Sequence, residues 1–301
     1  MEIRTIPGAR IFGQEKIEHG QTSHKNLPIH YNLQGEGVIF MKRVISALRT
    51  AIRTAAGKCV SIYKRKILFG GGLAYTQMRV HLPRTRWLPT WNYFDQLHGV
   101  AGGLLFLGAI PLKNNFNCIL DTMGRETGNP AQKEFAFLSV LEPFETDAGT
   151  FYKPALPAPS GGSAALSHTM NQTGQKLLVH NLHLPVPDFH RVDLGTIRRG
   201  VEFIHRHVQK KIPVYSHCKA GRARSVIVMA AYLLLYQFEA VAASMGKQPA
   251  LFSNPAMVRQ RQAELKFNLV AEYMQEHRQQ ALFAPERNQV VMDFYLNLEE
   301  R

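Results

Sequence analysis

A chain of 301 residues, 45% of them apolar, can bury a full hydrophobic core in one or two domains. Its three cysteines (Cys59, Cys118, Cys218) stand at unrelated spacings, which argues against a disulfide framework or a zinc site and fits a reducing compartment. The formal charge of +14 is lopsided, with 15 Lys/Arg against 4 Asp/Glu in residues 1–94 and 21 against 18 in the other 207, so the basic character belongs to an N-terminal extension.

Residues 1–40 are polar, with scattered Gly and Pro, and read as an irregular segment with no secretory signal. Residues 41–90 form a basic extension in which no acidic residue occurs from Lys42 to Tyr93. On a helical wheel Val44, Ile45, Leu48, Ala51, Ile52 and Ala55 share one face, while Lys42, Arg43, Arg49 and Arg53 take the other. That pattern predicts an amphipathic helix over about 41–67, whose basic residues 42–66 meet an anionic membrane surface. A transit-like segment and an ordinary surface helix are the rival readings. Few aromatics interleave with the charges, so no nucleic-acid partner is expected. Gly70, Gly71 and Gly72, with Pro83 and Pro89, predict a linker.

The folded domain is placed at 91–280. Strands are expected over 104–111, 118–120, 135–141 and 177–184, and a mobile insertion over 146–175, where Pro, Gly and Ser accumulate. Asp193 reads as the N-cap of a helix carrying Leu194, Ile197, Val201, Ile204 and Val208 at helical spacing. Further helices are expected over 226–236, 238–245 and 257–278, followed by a C-terminal tail over 281–301. Strands interleaved with helices predict an α/β fold with a mostly parallel central sheet flanked by helices. The longest apolar runs fall short of the roughly 20 residues that cross a bilayer.

The chain is organised around residues 212–236. Val214 and Tyr215 predict a strand that stops at His217 and Cys218; a small basic turn, Lys219-Ala220-Gly221-Arg222-Ala223-Arg224, then leads into an apolar helix. Strand, tight loop and helix turn backbone N–H groups and a helix N-terminus onto one point, which makes an anion site. A cysteine at such a point is drawn down from about 8.5 to roughly 3.5–7.5, where it is a nucleophile near neutrality. Arg224 can fork onto two phosphoryl oxygens. Ser225 sets a hydroxyl beside the sulfur, and His217 is placed to fix the loop.

The run His217-Cys218-Lys219-Ala220-Gly221-Arg222-Ala223-Arg224-Ser225 resembles the signature loop of the cysteine-dependent protein-tyrosine and dual-specificity phosphatases. The resemblance implies their fold, attack by Cys218, a phosphocysteine intermediate, phosphate clamping by Arg224 and no metal or other cofactor. It also implies a general acid on a loop before the signature, which fits Asp188, with Asp193 as the rival. Trp91-Asn92-Tyr93, the 105–112 run and Glu142-Pro143-Phe144-Glu145 resemble the mitochondrial-type lipid phosphatases of that superfamily. That subgroup implies a phospholipid substrate, phosphatidylglycerophosphate or a phosphoinositide, with Glu142 and Glu145 as substrate-positioning residues. Lys219 and Arg222 add charge suited to a headgroup with a second phosphate. A dual-specificity protein phosphatase and a non-catalytic phosphate- or membrane-binding scaffold are the alternatives. An intracellular, membrane-peripheral location is expected. His180, His183, His190, His205 and His207 show no metal spacing and read as surface residues.

Overall fold

The computed structural model describes residues 60–81, 92–113, 115–147, 164–170, 176–188, 190–252 and 258–299. Residues 1–40, the start of the basic extension and Pro83 and Pro89 lie outside them.

Six strands form one mixed sheet: β1 (Phe94–Gln96), β2 (Leu105–Gly108), β3 (Glu134–Leu141), β4 (Ala164–Met170), β5 (Lys176–Pro185) and β6 (Val214–His217), in the order β1-β2-β6-β3-β5-β4. The four inner strands run parallel, and β1 and β4 are added antiparallel at the two edges. Every residue of β2 and β6 is buried, and so is all of β3 after Glu134, as expected of parallel strands covered on both faces.

Helices α1 (Val60–His81), α2 (Phe116–Glu126), α3 (Pro143–Asp147), α4 (Leu194–Gln209), α5 (Arg224–Tyr236), α6 (Phe238–Ser244), α7 (Arg259–His277) and α8 (Pro285–Glu299) complete the described fold. One face of the sheet carries the main core, in which Leu138, Leu184, Val214 and residues of α4, α5, α7 and α8 pack together. On the other face α2 sets Phe116, Ile119, Leu120 and Met123 against Phe106, Phe137, Val179 and Tyr215. Helix α5 is buried from Arg224 through Leu234, so its hydrophobicity all round reflects a core position. Asp193 caps α4, its Oδ1 accepting from the Thr196 N–H at 2.8 Å, and these hydrogen bonds outweigh its burial and hold its pKa below the ordinary carboxylate value.

Five sequence expectations are corrected. The glycine triplet is not a linker: α1 runs through it to His81, because Phe69, Leu73 and Thr76 bury one face of the helix. Such packing offsets the roughly 1 kcal/mol that each helical glycine costs. Cys118 to Leu120 lie in α2 rather than a strand, since residues 116–123 follow the helical spacing Phe116, Ile119, Leu120, Met123. The 146–175 insertion contains β4, which closes the sheet edge beside β5, and residues 148–163 lie outside the described set. The 281–301 tail contains α8, whose Val290, Val291, Phe294 and Tyr295 are buried in the main core. His183 and His207 are buried, not on the surface; His183 Nε2 donates to the Leu141 carbonyl and His207 Nδ1 to the Phe203 carbonyl.

Candidate active site

Strand β6 ends at His217, and residues 218–223 turn back over the carboxyl ends of β2 and β3 before α5 begins at Arg224. A ligand crevice outside the carboxyl ends of parallel strands is the usual place for a site in such a sheet. Gly221 makes the turn with φ +62°, and a Cβ there would stand 2.2 Å from the Gly108 carbonyl oxygen, so both backbone freedom and close approach demand glycine. The Ile110 N–H donates to the Lys219 carbonyl, which ties the loop to the end of β2.

Cys218 is buried at the floor of this loop. Burial pushes its thiol up, but the Arg224 guanidinium, the Ser225 hydroxyl and the backbone N–H groups of Ser225 and Ala223 outweigh it and bring the pKa down to about 7. The thiolate is therefore well populated near neutrality. His217 behaves oppositely. Burial, opposed by its backbone contact at Cys218 and reinforced by His183 and Arg224, pushes its pKa down to about 3, so the ring is neutral. Its Nε2 lies 2.7 Å from Ser139 Oγ on β3, the strand neighbour in register with it, which fixes the ring beneath the loop.

Arg224 is held from below. Glu145, on α3, is 1% exposed and takes both terminal nitrogens, Nη1 to Oε2 at 2.5 Å and Nη2 to Oε1 at 3.1 Å, and Nη1 also donates to the Val186 carbonyl at 2.9 Å. Of the five N–H donors of a guanidinium, these bonds use three and leave the Nε–H and one on Nη2. The Asp188 carboxylate approaches the same edge, Oδ1 at 3.4 Å from Nη2, and its Oδ2 pairs with Lys219 Nζ at 2.5 Å. Glu142 accepts from the Asp188 N–H at 2.8 Å, while its own N–H donates to Glu145 Oε2.

The structure thus brings Cys218, Arg224, Ser225, Asp188, Lys219, Glu142 and Glu145 together. Asp193, the rival acid, is committed to its helix cap. Glu142 and Glu145 are 7% and 1% exposed and hold Asp188 and Arg224, rather than facing outward toward a substrate. Arg222 turns away, its Nε donating to the Gln280 carbonyl.

Residues 165–276 match the family described as Swiss Army Knife protein, DSP-PTPase phosphatase domain. The match covers 112 of the 301 residues and makes that part of the chain similar to a dual-specificity phosphatase domain. That span holds Asp188 and the whole 217–225 loop, and leaves Glu142, Glu145 and α1 outside it. The chain is 22% identical over 193 residues to the phosphatidylglycerophosphate phosphatase PTPMT1 of Arabidopsis thaliana, which covers 62% of this chain and 46% of that protein. It spans about half the length of this curated relative. Among solved structures the chain is similar to PTPMT1 in complex with PI(5)P, at 19% identity over 70% of this chain and 99% of that one, with a TM-score of 0.43. It is also similar to the human tyrosine phosphatase-like serine/threonine/tyrosine-interacting protein, at 16% identity over 69% and 98%, with a TM-score of 0.41.

Two supports of the phosphatase loop carried no sequence signal. Arg278, fully buried after α7, donates through Nε to the Gly221 carbonyl and through Nη2 to the Ala220 carbonyl, and Nη1 pairs with Asp95 Oδ2 at 2.6 Å. Pulling both carbonyls outward leaves the opposite, N–H side of the loop facing Cys218. Helix α1 is the second: a Cβ at Gly72 would meet Lys219 Nζ at 3.1 Å, and the Phe69 ring lies beneath the same ammonium. Both supports come from distant chain segments, so a reading of the loop alone could not find them.

Proposed function

We propose that this protein is a cysteine-dependent phosphatase that removes a phosphomonoester from a phospholipid headgroup, phosphatidylglycerophosphate or a phosphoinositide. The observation that carries the reading is a thiol with a pKa of about 7 beneath an arginine whose remaining N–H donors form an anion-binding edge. The Cys218 sulfur attacks phosphorus in line, and the bond to the ester oxygen breaks as Asp188 gives that oxygen a proton. Arg224 and the N–H groups of residues 219–224 stabilise the equatorial oxygens. Asp188 then takes a proton from water, whose oxygen attacks the phosphocysteine, and Ser225 stabilises the departing thiolate. Before the first step Lys219 must release Asp188; a dianionic phosphate competes for the ammonium and so frees the carboxyl to carry a proton.

The lipid assignment rests on Lys219 and Arg224 at one pocket and on the printed activity of the plant relative. The basic residues 42–66 would hold the enzyme at an anionic intracellular membrane. The test is phosphate release from vesicles containing phosphatidylglycerophosphate or single phosphoinositides, beside a phosphotyrosine peptide, with wild type and Cys218→Ser. Lipid turnover that Cys218→Ser lowers by at least about 10⁴-fold supports the proposal. Preference for the peptide assigns a protein phosphatase instead, and phosphate binding without turnover of either substrate assigns a scaffold.

A further inference from the structure

Helix α1 has two faces of unusual kind. Phe69, Leu73 and Thr76 bury one of them against the phosphatase domain. At about 100° per residue, Ile67, Leu68, Gly71, Ala74, Tyr75 and Met78 fall together on the other, within a sector of about 120°, the width of an apolar helix stripe. Three large side chains there stand in the open, Ile67 at 43%, Leu68 at 50% and Met78 at 46% exposed. From Ile67 through Met78 the helix has no charged residue. A helix facing water on that side would carry Lys or Glu there.

We infer that the outward face of α1, centred on Leu68 and Met78, is an interfacial face that inserts into an anionic lipid surface beside the active site. The charges choose that occupant. Lys64, Arg65 and Lys66 occupy the turn before the stripe and Arg79 follows it, and no acidic residue lies between Lys42 and Tyr93. An apolar stripe flanked only by cations matches anionic headgroups over hydrocarbon. No single helix among the described residues is long and apolar enough to cross a membrane, so α1 would lie in the plane of the surface. The flank of α1 that carries Gly72, about 100° round the helix from the centre of the stripe, touches Lys219, which places the rim of the site within about one helix diameter, roughly 10 Å, of the stripe. A headgroup standing off the hydrocarbon reaches that far. The three glycines then have a purpose: a slender helix lets the membrane and the catalytic loop approach each other.

This inference deepens the lipid reading and rests on it for its purpose, but its test does not need turnover. The full chain is sedimented with phosphatidylcholine vesicles with and without phosphatidylglycerol, at low and at high salt. Wild type is expected to bind the anionic vesicles and to retain part of that binding at high salt, where the attraction of residues 42–66 is screened. Leu68→Gln with Met78→Gln is expected to lower partition by about tenfold or more, with the retained high-salt part lost. Hydrolysis of a soluble aryl phosphate by the double variant should be unchanged, which shows that the domain is folded. Val258→Gln removes another exposed apolar side chain, remote in sequence, and should bind as wild type. Equal vesicle binding by wild type and the double variant, an equal loss in Val258→Gln, or self-association through the stripe without vesicle binding would overturn the inference. Weaker vesicle binding in a protein that hydrolyses no lipid would leave the docking face standing and remove the substrate assignment.

Discussion

The floor and the rim of the active site are built on different physics. On the floor, Arg224 and Glu145 are 3% and 1% exposed and neither can turn to solvent; at the rim, Lys219 and Asp188 are 15% and 27% exposed. A buried charge pair is strongly destabilising to break from one side, by about 3–5 kcal/mol, because the remaining charge is stranded. A partly exposed pair opens at lower cost, since water can take up each partner. The floor is thus suited to fix a geometry and the rim to change partners during a reaction. The backing differs in the same sense: Arg278 and Asp95 brace the loop from the core, whereas Lys219 rests on Phe69 and Gly72 of α1.

This contrast can be broken from either side. The largest effect on stability is expected from Glu145→Gln, which strands the Arg224 charge: thermal unfolding should move down by several degrees and turnover should fall by about 10²-fold or more. Circular dichroism melting and steady-state kinetics read both. Asp188→Asn should leave the melting temperature nearly unchanged yet slow esters with poor leaving groups by about 10²–10⁴-fold and aryl phosphates far less. A comparable drop in melting temperature for the two variants would erase the distinction between floor and rim.

The thiol gives a third measurement. Cys218 is ionised above about 7 and protonated below it, so its alkylation by iodoacetamide should rise with pH through a midpoint near 7, falling by about tenfold per unit on the acid side. In Ser225→Ala the midpoint should move up, because the hydroxyl helps to lower it. Mass spectrometry separates this site from the exposed Cys118. The smallest effects belong to α1. Nothing lies within 4 Å of a Cβ at Gly71, so Gly71→Ala should stabilise by about 0.5–1 kcal/mol through helix propensity alone. Gly72→Leu, one residue on, should displace Lys219 and change KM for a charged headgroup severalfold while leaving the alkylation midpoint of Cys218 in place.

The 217–225 loop was legible because its geometry is local. Nine consecutive residues carry the cysteine, the arginine and the turn glycine, and a strand and helix on either side aim them. Asp188 was legible as a carboxylate in a loop between a strand and a helix, and Asp193, read from the sequence as a helix cap, does accept from the Thr196 N–H. Glu142 and Glu145 were found through family likeness, as substrate-positioning residues, and only the structure shows that they hold Asp188 and Arg224. Gly70 to Gly72 misled because three glycines weaken a helix in isolation, and only tertiary burial of Phe69 and Leu73 reverses that balance. Arg278 left no trace, since a single arginine beyond a helix end is ordinary until its partners are known.

By itself the sequence determined the parallel core strands, the capped helix after Asp193 and the strand, tight loop and helix of residues 212–236, because hydrophobic period, side-chain capping and loop geometry act over a few residues. Only the tertiary structure decided which carboxylate holds Arg224, which arginine draws the loop carbonyls outward, and that a glycine-rich helix lies along Lys219. Those are contacts between segments 57 to 183 residues apart. Burial, which turns a charge pair from a weak surface contact into a rigid brace, is a property of the packed chain.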